Sequence, residues 1–83
     1  MLAAPAHTVF DVITDFLASN PIPEQILTFR LPAEMEAYAS RLLESRRDQG
    51  LSREEELDLF DFIRADDMMT LLKAKTRLKL SKK

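Results

Sequence analysis

Apolar residues recur along this chain mostly at helical spacing, and no stretch sustains the alternation of a strand. Val9, Val12, Ile13, Phe16 and Leu17 predict a first helix over about residues 8–19 with one apolar face. Thr8 and Asp11 resemble a capping box with Asp in place of Glu. Asn20-Pro21 ends this helix, because a residue before proline is pushed out of the helical region. Pro23 suits the first turn of a short second helix, Pro23 to Phe29, which offers Ile26, Leu27 and Phe29 to a core. Arg30-Leu31-Pro32 breaks the chain again. A third helix is expected over about 33–48, with a stripe of Met35, Tyr38, Ala39, Leu42 and Leu43 completed by Arg46. Gly50 is suited to closing it.

The fourth helix dominates the pattern. Ser52 and Glu55 form an S-x-x-E capping box, and no Gly or Pro follows Gly50. A helix over 53–80 is therefore expected, roughly 42 Å long at ~1.5 Å per residue. An 83-residue globule does not cover such a helix along its whole length, so part of it is expected to meet a partner. It carries two apolar sets. Leu57, Phe60, Ile63, Met68, Leu71 and Leu78 lie broadly on one face, and Leu59, Phe62, Met69 and Leu80 on nearly the opposite one. A helix apolar on two sides is central in its domain or sandwiched between its domain and another chain. The second set is read as the partner-binding face: Leu59, Phe62, Met69 and Leu80, with Lys73, Lys75, Arg77 and Lys79 steering an acidic partner. Alternatively, Leu59 and Phe62 belong to the local core and Met69 and Leu80 are ordinary exposed residues. Arg64 and Asp67, three apart near the first set, are expected to form structural ion pairs, with each other or with another helix.

The expected fold is all-α: a small bundle of three to four helices with a long C-terminal helix, in one domain spanning 1–83. Residues 1–7 would be a loose lead-in. With 46% hydrophobic residues and one Gly, the chain is not a disordered tail, although a chain this short buries only ~60% of its unfolded surface. It has no Cys, which rules out disulfides and thiolate metal sites and fits the cytoplasm. Asp11 and Asp15 interrupt the N-terminal apolar stretch and no basic segment precedes it, so no signal peptide is expected. No run approaches the ~20 apolar residues of a membrane span. The net charge of −2 conceals an asymmetry: residues 1–63 hold five Lys/Arg and twelve Asp/Glu, a balance of −7, and residues 64–83 hold seven and two, a balance of +5. A basic helix end matches the helix dipole, and it is also a potential contact for nucleic acid or an acidic partner.

No catalytic, cofactor or metal site is expected. The only His, His7, lies in the lead-in without Cys or His companions. One Gly cannot build a phosphate-cradling loop. Glu54, Asp58 and Asp61 share a helix face, but ligands for a hard cation must converge from several directions. The stretch Ser45 to Glu56 places Gly50 and Glu56 as a calcium-binding loop would, yet it has Ser45, Arg47 and Gln49 where Asp or Asn is required. A DNA-reading helix-turn-helix would bring Glu54-Glu55-Glu56 against phosphates. No aromatic interleaves Lys73, Lys75, Arg77, Lys79, Lys82 and Lys83, so single-strand stacking is unsupported.

The stretches DFLASNPIPEQILTFRLP, RLLESRRDQGLSREEELDLFDFI and LLKAKTRLKL resemble a family of small, largely uncharacterised helical proteins of cyanobacterial type. The resemblance covers roughly residues 16–80, with the Gly50-Leu51-Ser52 turn one residue tighter than the family pattern. Such genes often lie beside small nuclease genes, including HNH-type ones. The resemblance thus implies an antitoxin-like or accessory role, and it carries no functional residue over. The preferred reading is a non-catalytic protein-interaction module for a partner such as a nuclease. The alternatives are a homodimeric helical structural protein and a weak, non-specific nucleic-acid binder.

Overall fold

The computed structural model describes residues 8–82. Among these it holds four helices and no strand: α1 (Val9–Ala18), α2 (Pro23–Leu27), α3 (Ala33–Asp48) and α4 (Arg53–Ser81). The lead-in expected at 1–7, including His7, lies outside the described residues.

Each boundary has a local cause. The Thr8 hydroxyl accepts the Asp11 N–H at 3.1 Å, and the Asp11 carboxylate accepts the Thr8 N–H at 3.4 Å. Amides that a helix start leaves unpaired are thereby satisfied. Past α1, Asn20 takes a left-handed φ of 59°, which Asn tolerates better than most residues, and Pro21 prevents a further turn. α2 opens on Pro23, and Gln25 Oε1 accepts the Ile22 N–H at 2.9 Å. It stops at Leu27, short of the expected Phe29, where the Thr28 hydroxyl donates to the Glu24 carbonyl at 3.0 Å.

Gly50 closes α3 with φ +85°, and its amide donates to the Ser45 carbonyl at 2.7 Å. A side chain at this position would meet nothing within 4 Å, so the glycine serves the backbone conformation alone. The α4 box forms as the sequence indicates: Ser52 Oγ accepts the Glu55 N–H at 3.2 Å and Glu55 Oε1 accepts the Ser52 N–H at 2.9 Å. Glu54, Glu55 and Glu56 in the first turn and Lys79 in the last both complement the helix dipole.

α4 is the spine, and α1, α2 and α3 all pack against it. Near its start, Tyr38 and Leu42 of α3 enclose Leu59, backed by Leu51 and Phe62. Further along, Val9 and Ile13 of α1 enclose Ala65 and Met69, backed by Phe10, Phe29, Leu31, Phe62 and Leu72. Phe62 touches both clusters and joins them. The segment after α2 is pinned from two sides. The Phe16 and Phe29 rings lie 4.5 Å apart, and Lys73 Nζ donates to the Phe29 carbonyl at 3.0 Å.

Of the stripe expected on α3, Met35, Tyr38 and Leu42 are buried, whereas Leu43 and Arg46 face solvent. Leu43 sits ~100° round the helix from Leu42, on the open groove it lines with Leu59 and Ile63 of α4. The molecule measures 50 × 23 × 17 Å, with a radius of gyration of 14.7 Å; a compact chain of this length has about 12 Å. α4, roughly 43 Å long at ~1.5 Å per residue, sets that elongation. No described helix is long and apolar enough to cross a membrane.

Candidate interaction surface

The structure reverses the two faces of α4. Leu59 is 4% exposed and Met69 6%, each inside one of the core clusters. Phe62 is half-buried with its ring edge-on to Tyr38 at 6.0 Å, and Leu80 is also half-buried. Lys73 is half-buried and held by its bond to Phe29. Of the expected partner-binding set, Lys75, Arg77 and Lys79 remain exposed. The reason lies in a small residue. Ala65 lets α1 approach closely enough for Val9 and Ile13 to cover Met69. The protein's own helices cover Leu59, Phe62 and Met69 on the face that was expected to meet a partner. The alternative holds for Leu59 and Phe62, which belong to the local core, and is corrected for Met69, which the same contact buries.

The opposite face is bare. Leu57, Phe60, Ile63, Met68, Leu71 and Leu78 are all exposed, Phe60 at 54% and Leu71 at 57%. Leu57, Phe60, Leu71 and Leu78 form one line with Arg64, Asp67 and Ala74, at alternating spacings of three and four residues. At ~100° per residue this line runs along the side of α4 opposite Ala65 and Met69. The Arg64 guanidinium lies over the Phe60 ring, 5.5 Å from its centre. The expected Arg64–Asp67 pair is not formed: among the described residues the ion pairs are Arg30–Glu36 at 3.2 Å and Arg47–Asp48 at 3.7 Å. Both Arg64 and Asp67 are exposed.

A polar clasp between α3 and α4 helps hold this helix in place. The Tyr38 hydroxyl donates to Asp58 Oδ2 at 2.6 Å. Burial, then the hydrogen bond to Asp58 and its charge, then Glu55 and Glu54, push the Tyr38 phenol up from its ordinary 10 to about 12. The folded value lies above the unfolded one, so this stabilisation is complete below pH 10 and is lost as pH rises towards 12. Tyr38→Phe is therefore expected to cost about 1–2 kcal/mol at pH 7. The gap between the two melting temperatures should narrow between pH 10 and 12; a gap that stays constant would contradict the clasp.

A cleft of about 260 Å³ opens between α1, the segment after α2 and α4, bounded by Ile13, Phe29, Leu31 and Phe62. Its lining has no His, Cys or Ser; Arg30 is engaged with Glu36 and Lys73 with the Phe29 carbonyl. Among the described residues no three of His, Cys, Asp and Glu are grouped to hold a metal ion, the Glu54, Asp58 and Asp61 face included. No protein-family model, curated protein or solved structure matches the chain, so its function is read from the surface of α4.

Proposed function

We propose that this protein is a non-catalytic, cytoplasmic interaction module and that a protein partner docks on the outer face of α4. One observation carries the reading: six large apolar side chains stand exposed on a single helix whose opposite side is already covered by α1, α2 and α3. Apolar patches rimmed by charge mark interaction sites more often than isolated exposed residues do. Burying the patch yields about 25 cal/mol per Å² before the costs of association. Lys75, Arg77 and Lys79, exposed beside its far end, would steer an acidic surface towards it. The sequence resemblance makes a nuclease encoded nearby the partner to test first.

The test is a paired capture from the host, with wild type and with Phe60→Asp combined with Leu71→Asp. Both sites are exposed in the single chain, so at concentrations where both proteins are monomeric, helicity and stability should stay close to wild type, within about 0.5 kcal/mol per site. A stoichiometric protein that wild type retains should be absent with the variant. Equal recovery by both would overturn the assignment of the face.

A further inference from the structure

Resting on that reading, we infer that the occupant of the outer face of α4 is a second copy of this chain, with its own α4 laid antiparallel. The line of Leu57, Phe60, Arg64, Asp67, Leu71, Ala74 and Leu78 repeats every seven residues, as a two-helix seam requires. Its two charges sit at the middle and are opposite in sign. In one antiparallel register Leu57 meets the partner's Ala74, Phe60 meets the partner's Leu71, and Arg64 meets the partner's Asp67. Twofold symmetry then repeats each of these contacts.

The flanking charges select the same arrangement. Every acid of α4 lies at or before Asp67, and every base except Arg53 and Arg64 lies at or after Lys73. Antiparallel packing brings Glu56 beside the partner's Arg77 and Glu54 beside the partner's Lys75, all four exposed in the single chain. A parallel pair would do the reverse. It would stack Arg64 on the partner's Arg64 and Asp67 on the partner's Asp67, and set Glu56 beside the partner's Asp61 and Arg77 beside the partner's Lys82. Like charges so placed oppose association. The central Arg64–Asp67 pairs, desolvated in the seam, act on register and direction more than on affinity.

The experiment uses the whole chain. Sedimentation equilibrium should show a reversible dimer. Glu56→Arg alone and Arg77→Glu alone should each weaken it about tenfold, since two attractive contacts become repulsive. The two changes together should restore it, because each pair is rebuilt with its signs exchanged. Direction is read separately. The chain has no Cys, so Leu57→Cys and Ala74→Cys chains can be mixed and oxidised. Antiparallel packing predicts a disulfide in the mixture and none in Leu57→Cys alone, where the two sulfurs would sit about 26 Å apart along the helix. Self-linking of Leu57→Cys, or failure of the double charge exchange to restore the dimer, overturns the inference. So does a monomer at every concentration. In that last case, a different protein retained by wild type and lost with Phe60→Asp combined with Leu71→Asp leaves the docking face standing without the second copy.

Discussion

Met69→Asp is expected to leave the chain largely unfolded at 25 °C, with far-UV circular dichroism losing most of its helical signal. Met69 is 6% exposed in the cluster that Val9, Ile13 and Ala65 form between α1 and α4. A carboxylate there loses its hydration among Val9, Ile13 and Ala65, and pairing with Lys73 one turn on would compete with the bond that holds the Phe29 carbonyl. Burying an unpaired charge costs several kcal/mol, and the lost methionine packing adds about 2–5 kcal/mol. A domain commonly has about 5–15 kcal/mol of stability in total, and a short chain sits near the bottom of that range. The adjacent Met68→Asp is the control. Met68 is 41% exposed on the other face, and its replacement should change stability by about 0.5 kcal/mol or less. Equal stability of the two variants would show that α1 does not cover Met69. The sequence pattern places Met69 on the partner-binding face, where an acid would spare helicity; the position of α1 replaces that expectation.

The second large effect is Leu42→Ala, expected to cost about 2–5 kcal/mol. Leu42 is 1% exposed and, with Tyr38, encloses Leu59. Removing its isopropyl end leaves a hole where α3 meets α4, and Leu51 and Phe62 at its edge fill it only in part. Urea denaturation should show a lower midpoint with an unchanged slope, since the surface exposed on unfolding is nearly the same. Leu43→Ala, one residue on and half exposed, should cost less than about 1 kcal/mol. Comparable losses at the two sites would mean that α3 is rotated about its axis relative to this structure.

These adjacent pairs mark the boundary between what was legible in the chain and what was not. The sequence by itself determined the all-α class, the two capping boxes at Thr8 and Ser52, the breaks at Pro21 and Pro32, and the closing role of Gly50. These are contests among a few neighbouring residues, settled by side chains that reach their own backbone or by a backbone angle few residues accept. The inward face of α4 is a different kind of question. Both of its stripes have helical spacing, so periodicity supports either one.

A discriminating signal was present. Leu59, Phe62, Ala65, Met69, Leu72 and Thr76 form a continuous stripe without charge, whereas Arg64 and Asp67 interrupt the other. Ala65 and Thr76 are small and do not stand out as core residues, yet both are buried. Only the tertiary structure decided their role, because a small side chain gains its value from the helix that comes close to it. With α1 seated on Ala65 and Met69, the larger residues Leu57, Phe60, Leu71 and Leu78 are left facing outward.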